Sequence, residues 1–187
     1  MYHRYENFVE VIAGSMYAGK STELIRRIET LGYTNLKIVA FKPSIDNRYS
    51  EDEIVTHSGM KVKSHSISKM DHLIDLAKDA DVVAIDEIQF FDTEILKVID
   101  MLAKRGVRVI VAGLDTDFRG EAFPIVASLM ATSEFVTKLV AICTVCGGPA
   151  TRSQRLVDGE PAQYSSEIIQ IGGEESYEAR CRKHHII

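Results

Sequence analysis

One octapeptide constrains this chain more than any other feature. Gly14-Ser15-Met16-Tyr17-Ala18-Gly19-Lys20-Ser21 matches G-x-x-x-x-G-K-[ST] in full. Phe8, Val9, Val11 and Ile12 ahead of it read as a short buried strand. Behind it Leu24, Ile25, Ile28 and Leu31 recur at spacings of three and four until Gly32, the signature of an amphipathic helix. A glycine loop between strand and helix turns successive backbone N–H groups inward and adds the helix dipole, which together cradle phosphate oxygens. In that geometry Lys20 reaches the β- and γ-phosphates and the Ser21 hydroxyl ligates Mg²⁺.

The rest of the chain supports an α/β fold. Leu36 to Phe41 and Val107 to Ala112 read as strands. Leu73, Ile74, Leu76 and Ala77 suggest a short helix, and Asp92 is placed to cap a second one. That helix runs to Arg105, with Ile95, Leu96, Ile99 and Leu102 on one face and Gly106 at its end. Strands alternating with helices over short connections predict a largely parallel sheet covered on both faces. Ser44 to Glu53 is polar, lacks periodicity and reads as a mobile loop. Ile54 to His57 and Lys61 to Ser66 could form a hairpin about Ser58-Gly59.

A phosphate loop of this kind needs an acidic residue ending a neighbouring strand as a second Mg²⁺ anchor. Val82 to Ile85 is such a strand, and Asp86 ends it. Glu87 beside it supplies a base within reach of the γ-phosphate, as a hydroxyl acceptor requires. Adjacent residues on an extended strand point to opposite sides, so the two acids are expected to divide between metal and acceptor.

The texture changes after Lys138. Helical periodicity disappears, and turn signals recur at Gly147-Gly148-Pro149, Asp158-Gly159-Glu160-Pro161 and Gly172-Gly173. All three cysteines fall here. We expect residues 1–138 to form a nucleotide-binding domain and residues 139–187 a second, smaller one. At that size a core alone is marginal, so a structural metal helps. Cys143-x-x-Cys146 and Cys181-x-x-His184, with 34 residues between Cys146 and Cys181, offer the paired knuckles of a tetrahedral Zn²⁺ site. His185 stands next to His184 and leaves the fourth ligand open between them.

Composition excludes other classes. Of the 187 residues 26% are charged, and the net charge of −5 provides no basic field to attract nucleic acid or an anionic membrane. No apolar run approaches the roughly 18 residues of a bilayer span, and the N-terminus has no signal-peptide core. A cytoplasmic protein without nucleic-acid or membrane partners is expected.

The motifs together resemble the type II thymidine kinase family. The resemblance rests on GSMYAGKS, DNRYS (Asp46 to Ser50), IDEIQFF (Ile85 to Phe91), GLDTDF (Gly113 to Phe118), the two knuckles, and IIQIGGEESYEARC (Ile168 to Cys181), in order over nearly the whole chain. It implies a RecA-like P-loop core, plus a small zinc-held domain carrying a lasso loop over the nucleoside. It implies transfer of the γ-phosphoryl of ATP to the 5′-hydroxyl of thymidine or deoxyuridine, with Glu87 as the base. By the same resemblance Asp46, Asn47, Arg48, Asp86, Glu87, Ile88 and Gln89 correspond to nucleotide-site positions, beside the loop residues Gly14 to Ser21. Met16, Leu114, Phe118, Thr151, Ile168, Ile169, Gln170, Ile171, Gly172 and Tyr177 correspond to the thymidine pocket. Cys143, Cys146, Cys181 and His184 match the zinc ligands, histidine standing where many members have cysteine. A homotetramer and feedback inhibition by thymidine triphosphate are also implied.

Two other readings share part of this pattern. A kinase for another nucleoside or small alcohol would carry the same loop, Asp86 and Glu87, and differ only in its C-terminal pocket. An ATPase gripping DNA through a zinc ribbon would use Arg152, Arg155, Arg180, Arg182 and Lys183, but no aromatic residues are interleaved among them as a strand-stacking surface needs.

Overall fold

Short runs of β-branched residues form the strands, and glycine, proline and aspartate punctuate them. The computed structural model describes residues 7–45, 53–55, 59–168 and 177–187. In chain order the elements are β1 (Val9–Gly14), α1 (Lys20–Gly32), β2 (Ile38–Pro43), β3 (Glu53–Val55), β4 (Lys61–Lys63), β5 (His65–Ile67) and α2 (Met70–Leu76). They continue with β6 (Val82–Ile85), α3 (Ile95–Lys104), β7 (Arg108–Leu114), α4 (Pro124–Thr132) and β8 (Phe135–Lys138). Five short strands follow: β9 (Ala141–Ile142), β10 (Pro149–Ala150), β11 (Arg152–Val157), β12 (Glu160–Pro161) and β13 (Tyr177–Arg180).

Six strands form one sheet in the order β5-β2-β6-β7-β1-β8, and every pairing in it is parallel. Alternate residues of the central strands serve two apolar layers. Val11, Val83, Ile85, Val109 and Val111 pack with α2, α3 and α4; Ile12, Ala84, Ile110 and Ala112 pack with Leu24, Ile25 and Ile28 of α1. Because both faces are covered, the central strands β1, β6 and β7 are largely apolar runs rather than alternating. Glu10 interrupts β1. It is buried and bonds Arg27 of α1 at 2.5 Å and Arg108 of β7 at 2.6 Å. Parallel order brings the C-terminal ends of β1, β6 and β7 to one edge, where ligands bind in open α/β sheets.

The mixed α/β fold with a parallel central sheet agrees with the sequence reading, and several elements differ in detail. The expected hairpin exists as β3 against β4, but Lys61 to Ser66 is not one arm. The chain turns at buried Ser64, and β5 joins the main sheet beside β2 instead. The second helix begins at Ile95, with Asp92 Oδ1 accepting the Glu94 N–H at 2.9 Å in the turn ahead of it. Its buried residues are Ile95, Val98, Ile99 and Leu102, while Leu96 is only partly covered. The helix α4 and the edge strand β8 had no counterpart in the sequence reading. Of the polar loop expected over Ser44 to Glu53, residues 46–52 lie outside the described residues.

Beyond Lys138 the described residues contain no helix. The strands β9 and β10 pair antiparallel, and β11 pairs antiparallel with both β12 and β13. The β11–β12 turn is Asp158-Gly159 with φ of 53° and 83°, the mirror-image turn that suits strand twist. Among the described residues no helix is long and apolar enough to cross a membrane.

Candidate active site and metal centre

The phosphate loop leaves β1 at Gly14 and enters α1 through Gly19, whose left-handed φ of 85° closes the turn. Tyr17 is also left-handed (φ 63°), a conformation costly for a large side chain and held here by contacts. Its hydroxyl donates to the Tyr177 carbonyl at 3.2 Å. The Met16 N–H donates to Ser153 Oγ at 3.0 Å, and Ser15 Oγ to the Ala150 carbonyl at 3.4 Å. Residues 15 to 17 are thus fastened to β10, β11 and β13. Lys20 is buried, and its Nζ donates to the Ser15 carbonyl at 2.9 Å, so the ammonium is folded back over the loop.

Across from the loop, β6 ends in Asp86, which is only 5% exposed. Burial, reinforced by the charge of Glu87, pushes its carboxyl up to about 7, against a hydrogen bond from Ser21, the Glu87 N–H and the charge of Lys20. A buried carboxylate bonded to the Ser21 hydroxyl and facing a lysine is a site short of positive charge, which a divalent cation would supply. The two residues expected to anchor Mg²⁺ are therefore in contact.

Glu87 is not on an extended strand. The strand stops at Ile85, and Glu87 is left-handed (φ 49°, ψ 43°) at the entry to a single 3₁₀ turn over Ile88–Phe90. The expected separation of the two acids by strand alternation fails; a turn redirects Glu87 instead. Gln89 then ties the turn together. Its Nε2 donates to Glu87 Oε2 at 2.5 Å, and its Oε1 accepts the Leu114 N–H at 3.0 Å. Gly113 makes this possible, since a Cβ there would lie 2.6 Å from Gln89 Oε1 and from Ile88 Cγ2. Leu114, paired in register with Gly14, borders the loop from β7.

Of the expected pocket residues, Phe118 and Tyr177 pack together with Ala162, Met16 and Tyr17. Ile168 reaches the group through its carbonyl, which accepts from Arg155 at 2.6 Å. Thr151 is half-buried just ahead of β11; Ser153, two residues on, is the one that meets Met16. Asp46, Asn47, Arg48, Ile169, Gln170, Ile171 and Gly172 lie outside the described residues. Sequence reasoning passed over Ser153 and Arg119 as site residues, and weighed Arg155 only as a surface cation. Arg119 lies over the Phe118 ring at 5.3 Å. No periodic signal marks any of the three.

The cysteine cluster is assembled. The ligand atoms of Cys143, Cys146, Cys181 and His184 lie within 4.8 Å of one another. Cys143 Sγ is 3.8 Å from His184 Nδ1, Cys181 Sγ is 3.3 Å from the same nitrogen, and the Cys146 and Cys181 sulfurs are 3.9 Å apart. Zinc at the usual bond lengths requires tetrahedron edges of about 3.4–3.8 Å, so the group could hold Zn²⁺. Burial raises the Cys143 thiol, but N–H groups of Cys181, Val145 and Cys146 and the His184 ring together hold it at about 5, on the side of the ligating thiolate. The neighbouring histidine is engaged elsewhere: His185 Nε2 lies 2.8 Å from the Phe118 carbonyl.

A phosphate loop on a parallel sheet, an acid pair at the end of β6 and a Cys3His group that could hold zinc define a protein with a P-loop nucleotide-binding fold. The thymidine kinase family model matches residues 7–185, and the chain belongs to that family, whose members phosphorylate thymidine. Solved structures to which the chain is similar include domain III of the replication initiation protein DnaA from Thermotoga maritima (16% identity, 70% of this chain and 54% of that one, TM-score 0.44). Others are AMPPCP-bound DnaA from Aquifex aeolicus (13% identity, 70% and 39%, TM-score 0.44) and Pif1 helicase from Candida albicans (15% identity, 71% and 36%, TM-score 0.42). The chain spans about half or less of the length of these proteins.

Proposed function

We propose that this chain transfers the γ-phosphoryl group of ATP to the 5′-hydroxyl of thymidine, and of deoxyuridine, with Glu87 as the general base. The observation that carries the reading is the pairing of buried Asp86 with Ser21 one residue before a carboxylate held by Gln89. Ser21 and Asp86 would hold Mg²⁺, which supplies charge neutralisation on the β- and γ-phosphates. The N–H groups of the loop from Gly14 to Ser21, apart from that of Met16, which Ser153 holds, orient the phosphates together with Lys20, and Asp46, Asn47 and Arg48 complete that side. Glu87, oriented by Gln89 Nε2, accepts the 5′-hydroxyl proton. Met16, Leu114, Phe118, Thr151, Tyr177 and the stretch from Ile168 to Gly172 enclose the nucleoside. Backbone amides there read the pyrimidine's polar edge. Cys143, Cys146, Cys181 and His184 would hold Zn²⁺, which would tie the segment after β9 to the one after β13 and so support this wall. On family grounds we extend the proposal to a cytoplasmic homotetramer inhibited by thymidine triphosphate, with the division into residues 1–138 and 139–187.

Glu87→Gln tests the assignment. It keeps the shape and removes the base, so ATP and thymidine should still bind while turnover falls by roughly 10²–10⁴. A variant within a few-fold of the parent rate removes Glu87 from the role.

A further inference from the structure

The least expected side chain in the structure is Arg155. It lies mid-strand on β11, is 1% exposed, and among the described residues no carboxylate pairs with it. A buried guanidinium is costly unless its donors are met. Here they are met by main-chain and hydroxyl oxygens. Nε donates to the Tyr177 hydroxyl at 2.9 Å, one terminal nitrogen donates to the Glu167 carbonyl, and the other donates to the Ile168 carbonyl at 2.6 Å. The plane of the group sits over the Phe118 ring, 4.2 Å from its centroid, and 5.4 Å from that of Tyr177. Arg119 extends the same grip, donating to the Ser166 carbonyl at 2.8 Å. Three consecutive carbonyls, of residues 166 to 168, are thus held by two arginines that both lie against Phe118.

We infer that Arg155 is a positioning residue for the nucleoside pocket. It joins Ile168 and Tyr177, which stand at the two ends of the stretch between them, to each other and to Phe118 after β7. These are the residues the functional reading above assigns to the thymidine side, so the inference rests on that reading and adds the group that sets their mutual distance. Arg155 acts through their backbone and hydroxyl. The phosphate loop is served by a different set of bonds, from Ala150, Ser153 and the Tyr177 carbonyl, so nucleotide and nucleoside affinities should respond differently to its loss.

The test is steady-state kinetics on the full-length, zinc-replete chain with each substrate varied in turn. Arg155→Met preserves much of the apolar stem and removes all the donors. The KM for thymidine should rise by about 10- to 100-fold, since misplacing a wall by an ångström is enough for that, while the KM for ATP stays within twofold. Arg155→Lys should fall between variant and parent, because one ammonium cannot bridge two successive carbonyls and a hydroxyl. Should either arginine variant fail to fold, Tyr177→Phe removes only the hydroxyl that Nε meets, and a several-fold rise in thymidine KM alone is expected. A thymidine KM within twofold of the parent in the folded variants overturns the inference, as does an equal rise in both KM values. A parent chain that phosphorylates no nucleoside overturns the functional reading and this inference with it; an active parent with an indifferent Arg155→Met overturns only the inference.

Discussion

The parallel sheet and the C-terminal strands are stabilised by different means. Strands β6 and β7 are buried almost end to end in valine, isoleucine and alanine, and helices cover both their faces. By contrast, among the described residues the apolar cluster beside the cysteines contains only Ala141, Cys143, Ala150 and Ala179 as buried members. The middle of β11 is Ser153, Gln154 and Arg155, all buried and polar. Gln154 clasps Ile186 in both directions, accepting its N–H at 2.8 Å and donating to its carbonyl at 2.9 Å. One region is organised by area removed from water, the other by satisfied hydrogen bonds and four metal-type ligands.

If that contrast holds, metal loss should separate the regions, and this is the largest effect expected. Structural zinc is worth roughly 10–16 kcal/mol to small domains that depend on it. Cys181→Ser should lower zinc well below one per chain by elemental analysis and abolish thymidine phosphorylation. Amides of β1, β6 and β7 should stay protected against hydrogen exchange, because no ligand lies in them. His184→Ala should lose metal as well, whereas His185→Ala should retain it, its ring being spent on the Phe118 carbonyl. Full zinc in Cys181→Ser, or collapse of protection across the parallel sheet, would erase the distinction.

The reverse experiment attacks the apolar side. Leu24 on α1 is fully buried against the sheet. Leu24→Ala should cost about 2–5 kcal/mol in urea unfolding and leave zinc stoichiometry unchanged. A cost below about 1 kcal/mol would mean that packing on this face is not what holds the sheet.

The same contrast explains what could be read from the chain alone. Apolar burial writes continuous apolar runs for the strands and a three-to-four spacing for the helices into sequence, and these revealed β1, β2, β6, β7, α1 and most of α3. The phosphate loop and the cysteine knuckles were legible because their chemistry fixes residue types at short spacing. The helix α4 was missed because Pro124 to Thr132 is apolar around most of its circumference and shows no clean stripe. Ser64 hid a change of sheet, since nothing in Lys61 to Ile67 announces that one run serves two partners. Arg155 was unreadable for a deeper reason. Its partners are a ring 37 residues earlier and carbonyls 12 and 13 residues later, and a polar residue chosen for distant partners leaves no local trace.

The smallest expected effect compares one acid in each region. Glu23 on α1 is held at about 2, below its ordinary 4.5, chiefly by the hydrogen bond from Arg26 and then by Arg27, with burial opposing. Glu178 on β13 is also lowered, chiefly by Arg180. A carboxylate with a depressed folded pKa stabilises the fold above its unfolded pKa, and that contribution is lost as pH falls toward the folded value. Both pairs are partly exposed, so each is worth about 1 kcal/mol or less. They should nevertheless differ. Arg27, which Glu23 orients at 2.8 Å, also bonds buried Glu10, so releasing Glu23 loosens a cation that neutralises an interior charge. Glu178 and Arg180 neighbour each other on one short strand, where Glu178 also meets Thr144. At pH 7 Glu23→Gln should therefore lower the urea midpoint more than Glu178→Gln, and by pH 3 the Glu23 difference should shrink to less than half. An undiminished difference at pH 3 would show that the Glu23 charge is not its source. Equal losses at pH 7 would show that the ionic clasp on the apolar region is no more consequential than the Glu178–Arg180 pair on the polar one.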